Sequence, residues 1–168
     1  MKGTSMEFYP TILTLHIIFA GGWIIGFISD IYLKSNITQN KGLSCEKNLI
    51  SLYLKLSNLT GIIGATGILI TGIILVLINP AYTFFQMTSN HWLTTKQILM
   101  VILLLIIFLY IIPSAKKLRA AIGENLNSNN PVNEDGYNYL KKIFRLNGII
   151  NLIVIINFLL AITHRFLN

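Results

Sequence analysis

His16 is the only strong metal-ligating side chain in the apolar run Thr14-Leu15-His16-Ile17-Ile18-Phe19-Ala20-Gly21-Gly22-Trp23-Ile24-Ile25-Gly26-Phe27. An imidazole in hydrocarbon is costly unless something binds it. It has two uses there: ligation of a metal or prosthetic group, or a hydrogen bond to Asn157 or a hydroxyl. Trp23 lies two helical turns on, with Ala20 between them, so one face carries the imidazole, a small residue and a large ring. Gly22 and Gly26 add a small-xxx-small spacing on a neighbouring face, where another backbone can come close. Lys96 follows Trp92 by one turn, and Met100, Leu103, Ile107 and Tyr110 continue its stripe. It either snorkels to the nearby surface or offers a cation to an anionic group.

The remaining polar candidates are amides. Asn147 and Asn151 are one turn apart, as are Asn157 and Ala161, with His164 on the same face next to Arg165. Buried amides of this kind cross-link helices, and a histidine at the interface needs no partner. No zinc-type spacing is present, Cys45 stands alone, and Met1, Met6, Met87 and Met100 do not cluster. Asp30 is the only acidic residue near a span, which argues against the carboxylate relay of a proton-coupled transporter. An imidazole facing glycines and aromatics, with Lys96 at similar depth, has the features of a haem site. A second axial ligand is not evident, because His91 and His164 lie one or two turns shallower than His16.

The elements that must position these groups are membrane helices. The chain has 168 residues, 54% hydrophobic and 11% charged, with mean hydropathy +0.66, which is not the composition of a water-soluble domain. Four segments are apolar enough to span: 8–33, 58–78, 92–113 and 143–166. Their connections predict a single membrane domain, an all-α antiparallel four-helix bundle with polar loops at 34–57 and 114–142. Basic residues concentrate on two connections. Lys34, Lys41, Lys47 and Lys55 mark the first, while Lys116, Lys117, Arg119, Lys141, Lys142 and Arg145 mark the third. The connection 79–91 has no charged side chain, so the positive-inside rule predicts cytoplasmic first and third loops and both termini outside. The net charge of +7 is therefore a topology signal for a multi-pass protein of the cytoplasmic (inner) membrane, and no nucleic-acid partner is expected. The first span reads as an uncleaved anchor.

Within the spans, Pro10 suits the first turn of helix one, and Pro113 should kink or end helix three. Helix two carries Ser57, Thr60, Gly64, Gly67 and Thr71 on one stripe, widened by Gly61, Ala65 and Gly72. That smooth side is either a close-packing surface or a floor for a flat macrocycle. Tyr82, Phe84, Phe85 and Trp92 form an interfacial aromatic belt, and the Asn-rich stretch between Ala120 and Tyr139 reads as a flexible loop.

Three motifs in order carry a family likeness. Leu15-His16-Ile17-Ile18 with Trp23, Trp92 with Lys96, and Phe144-Arg145-x-Asn147 resemble the HemJ-type membrane protoporphyrinogen oxidases and their copper-resistance-D-like relatives. The resemblance covers most of the chain. It implies haem b bound by His16 as metal ligand and Lys96 needed for activity. Trp23, Gly64, Gly67, Trp92, Arg145 and Asn147 would lie about the cofactor. The implied reaction removes hydrogens from protoporphyrinogen IX to give protoporphyrin IX. The chain departs from the pattern at Ile28-Ser29-Asp30-Ile31-Tyr32-Leu33, where the family has a Leu-Pro-Arg segment and a Tyr-His pair, and at Gly148-Ile149-Ile150, where it has Glu and Pro. Two other functions fit the same residues: a small b-type electron-transfer cytochrome, or a non-catalytic membrane subunit or scaffold. The partners expected are the lipid bilayer, a porphyrin or other small redox molecule, and a second copy or other membrane subunits.

Overall fold

The computed structural model describes residues 7–88, 90–123 and 132–167, with side chains described up to residue 163. Every regular element among them is helical. Helix α1 spans Tyr9–Gln39, α2 spans Glu46–Ile78, α3 spans His91–Gly123 and α4 spans Glu134–Leu167. All four are long and apolar enough to cross a membrane. The Asn-rich stretch 124–131, expected as a flexible loop, and the side chain of His164 lie outside the described residues.

The helices run past the expected spans. Helix α2 begins at Glu46 rather than Asn58, α4 at Glu134 rather than Ile143, and α1 continues to Gln39. The polar stretches 34–57 and 114–142 are therefore largely helix. The reason is a second core that hydropathy does not detect. Ile37, Ile50, Tyr53, Leu54, Leu118, Ile122, Leu140 and Ile143 are buried together, at helical spacing within segments interrupted by charged and polar residues. Such segments bury one face against each other and leave the rest to water, so their mean hydropathy is low while their packing is good. A smaller cluster of Trp23, Ala65, Leu103, Ile150 and Ile153 lies within the apolar spans.

Pro113 neither ends nor breaks α3. The turn Ile107–Ile111 just before it is a π-helix, in which the N–H of Ile112 donates to the carbonyl of Ile107. The wider turn absorbs the misfit created by a residue with no N–H and a bulky ring. The helix resumes as α-helix from Ile112 to Gly123.

Two connections are tied down by specific bonds. In 40–45, Gly42 adopts φ +80°, a left-handed conformation that glycine reaches without a Cβ clash. The fully buried Glu46 accepts the Gly42 N–H at 2.8 Å and the Tyr137 hydroxyl at 2.7 Å through Oε2. In the connection before α3, the Phe85 N–H donates to Gln97 Oε1 at 2.6 Å, and Asn90 Nδ2 donates to the carbonyl of Ala81 at 2.9 Å. Tyr82 packs edge-on against Trp92 with ring centroids 5.8 Å apart. Elsewhere the outer surface is strongly apolar: Ile18, Ile25, Ile62, Phe108 and Leu159 are each more than half exposed. A surface of that kind is suited to lipid rather than water.

Candidate functional site

The smooth side of α2 receives the large side chains of α1. Trp23 lies on Gly64, where a Cβ would come within 3.1 Å of Cε3 of the indole. Phe19 lies on Gly67, where a Cβ would come within 2.4 Å of the ring, and the His16 ring faces Gly72. Gly26 of α1 makes room in turn for Thr60. The stripe is thus a helix-packing surface, the first of the two uses expected for it, and the rings of Trp23 and Phe19 lie on Gly64 and Gly67.

His16 is half-buried toward the 79–90 connection, with Nδ1 2.8 Å from Oγ1 of Thr71. The Thr71 hydroxyl is also 2.5 Å from the carbonyl oxygen of Gly67. A hydroxyl has one hydrogen, and the carbonyl can only accept it. The Thr71 oxygen is then placed to accept from His16 Nδ1, and the backbone of Ile68 bonds the ring as well. Of the two partners expected for a hydrogen-bonded His16, the hydroxyl is the one used. Asn157 Nδ2 donates to the carbonyl of Ile153 at 3.2 Å instead.

Lys96 joins this group from α3. Its ammonium stands 5.6 Å from the Trp92 ring centroid and acts electrostatically on His16. The structure therefore brings His16, Lys96 and Trp92 into one neighbourhood. Gly67 is there too, through its carbonyl on Thr71, whereas Arg145 and Asn147 are elsewhere. Arg145 is exposed on α4, and Asn147 belongs to a second polar cluster built around Asp30.

That second cluster joins three helices. The buried Asp30 carboxylate pairs with Lys34 Nζ at 2.6 Å and accepts the Tyr53 hydroxyl at 2.7 Å and Asn151 Nδ2 at 3.1 Å. Asn147 Nδ2 donates to the Tyr53 oxygen at 2.7 Å and lies 3.5 Å from Asp30 Oδ1. Lys34 also donates to the carbonyl of Phe144 at 3.0 Å, and the Phe144 ring packs edge-on against Tyr53 at 5.1 Å. Both carboxylate oxygens are engaged and the nearest cation is paired. The arrangement is a clamp between α1, α2 and α4 rather than a free base. Asp30, Lys34 and Tyr53 were not among the expected site residues. Their only local signal is the i,i+4 spacing of Asp30 with Lys34 and of Asn147 with Asn151.

Helix α1 packs chiefly on α2 and α3 chiefly on α4, leaving a cavity of about 430 Å³ between the two pairs. Trp23, Asp30, Ala65, Phe108, Lys116 and Asn147 are among its walls, and among the described residues no histidine is. Haem therefore has to be judged on the donor set at His16. One imidazole, oriented through Nδ1 by a hydroxyl, is a donor that fits axial ligation, and Lys96 is a cation that fits a carboxylate. Compared with protein-family models, curated proteins and solved structures, the chain matches none.

Proposed function

We propose that the chain is a multi-pass membrane protein that binds haem b through His16 and belongs to the functional class of the HemJ-type proteins it resembles. The observation that carries this reading is the contact between His16 and Thr71, which uses Nδ1 rather than the ring's second nitrogen. Thr71 orients the imidazole. Lys96 holds a porphyrin or substrate carboxylate, and Trp92 packs beside its ammonium. When bound, haem b supplies a one-electron redox centre. In its enzymatic form the protein removes hydrogens from protoporphyrinogen IX to give protoporphyrin IX and passes the electrons to an acceptor in the membrane. In its simpler form it is an electron-transfer cytochrome.

The proposed topology is an antiparallel four-helix bundle with both termini outside the cytoplasmic membrane. Residues met in descending order along α1 (Asp30, Trp23, Phe19, His16) touch residues in ascending order along α2 (Tyr53, Gly64, Gly67, Thr71), which supports it for that pair. The basic residues of the first and third connections support the orientation.

An absorption spectrum of the detergent-purified protein, with haem supplied during expression, tests the reading. A Soret band that disappears in His16→Ala is expected, and no band in the wild type overturns it. A second reading, a cofactor-free membrane subunit, is favoured by the seating of Phe19 and Trp23 on the glycines and by the Thr71 contact that already satisfies one nitrogen of His16. The same spectrum decides between the two. Rescue of a strain lacking protoporphyrinogen oxidase separates the enzyme from the cytochrome.

A further inference from the structure

The cavity between the helix pairs has a composition that the haem reading does not use. Its α3 wall runs from Leu104 to Arg119 and includes Ile107, Phe108 and Ile111 of the π-helical turn. Helix α2 contributes Gly61, Ala65 and Leu69 opposite, together with the polar Asn58 and Thr66. A π-turn next to a cavity is a frequent mark of a binding site. The apolar trough ends in two cations, Lys116 and Arg119, three residues apart on one face of α3.

These two cations differ from their neighbours. Lys34 is paired with Asp30, the Lys117 ammonium lies over the Tyr139 ring, and that of Lys142 lies over Tyr110. Among the described residues Lys116 and Arg119 have no acidic partner, and both are exposed at the mouth of the cavity. Among the described residues the one carboxylate in the wall, Asp30, is paired with Lys34.

Length identifies the occupant. From Leu104 to Arg119 the wall rises about 22 Å at ~1.5 Å per residue. One leaflet of a bilayer, headgroup included, is half of roughly 40–45 Å, or about the same. The geometry points to an anionic phospholipid of the leaflet facing the first and third connections. Its phosphate sits on Lys116 and Arg119, and an acyl chain lies along the π-turn between the helix pairs. Basic pockets between membrane helices hold anionic headgroups in this way. The site shares no residue with His16 or Lys96, so its fate is independent of the haem reading.

Native mass spectrometry of the full chain, delipidated in detergent and titrated with phosphatidylglycerol or phosphatidylcholine, tests the site. One phosphatidylglycerol per chain is expected to be retained, with a preference on the order of tenfold over phosphatidylcholine. Lys116→Gln with Arg119→Gln should abolish the preference, and Lys116→Arg with Arg119→Lys should keep it. A Cβ at Gly61 meets nothing within 4 Å, so Gly61→Phe places a ring in the trough without a backbone clash and should reduce retention of both lipids. Equal retention of the two lipids overturns the proposal. So does a Gly61→Phe protein that binds as the wild type does, since the cations then act only as a surface. A dimer that forms in place of lipid binding and is lost in Gly61→Phe overturns it as well, by assigning the trough to a second copy.

Discussion

His16 of α1 and Thr71 of α2 meet at 2.8 Å, and the carbonyl of Gly67 decides which of them donates. The histidine is held by a hydroxyl whose own proton is directed to Gly67, and the contact uses Nδ1 rather than the ring's second nitrogen. Thr71→Val should keep the fold. It should weaken haem retention about 10- to 100-fold, the usual cost of losing a ligand-orienting contact. Haem titration followed at the Soret maximum, beside His16→Ala as the complete loss, measures this. An unchanged affinity in Thr71→Val would show that the contact does not orient a ligand.

Lys96→Met keeps the length of the side chain and removes its charge. The variant should retain the Soret band while losing turnover of a carboxylate-bearing porphyrin, by at least tenfold for a charge-assisted contact. If band and turnover fall together, Lys96 supports the fold rather than the substrate.

The Asp30 clamp should be the most sensitive polar feature of the fold. Asp30→Asn leaves Lys34 without its counter-charge in a largely buried setting, and the expected loss is about 3 kcal/mol. The double change Asp30→Leu with Lys34→Met should recover much of that loss, because no uncompensated charge remains. Thermal unfolding in detergent, compared across the two variants, gives the answer. A double variant no more stable than Asp30→Asn would argue that the remaining contacts with Tyr53 and Asn151 matter more than the charge.

Gly67→Ala should destabilise the α1–α2 pair by about 1–3 kcal/mol, the usual range for overpacking, since the new methyl would fall within 2.4 Å of the Phe19 ring. Adding Phe19→Leu should relieve part of the loss, and a double-mutant cycle of melting midpoints measures the coupling. Gly61→Ala, with open space at its Cβ, serves as the neutral control.

In the connection before α3, burial and a hydrogen bond to Tyr9 push the Tyr82 hydroxyl up from 10.0 to about 12. A phenol that ionises less readily in the folded chain stabilises the fold fully below its unfolded value. That contribution is lost as pH rises from about 10 to about 12. Absorbance at 295 nm, read in wild type and Tyr82→Phe, should show one phenol fewer titrating in that window in the variant. Tyr82→Phe should also lose less stability than the wild type between the same limits.

The four membrane segments are legible because mean hydropathy over about 20 residues is a local sum that needs no knowledge of neighbours. Even Pro10 marks the start of α1. The amphipathic extensions were not legible that way. Ile50 and Leu54 stand among other apolar residues, such as Leu49, Leu52 and Leu56, and which of these form the core shows only when Leu118, Ile122 and Leu140 are placed against them. The choice between packing and a macrocycle floor on the α2 glycines likewise waited on the rings of Phe19 and Trp23.

The sequence by itself determined the class of molecule, the four spans and the oddity of an imidazole in hydrocarbon. Only the tertiary structure decided what that imidazole and the other polar groups meet. A helix that is apolar almost all round carries little record of which side faces its neighbours, so its rotation about its own axis comes from packing. That rotation turns His16 onto Thr71 and gathers Asp30, Tyr53, Asn147 and Asn151 at one point. It also leaves Arg145, expected beside the cofactor, on the outside of α4.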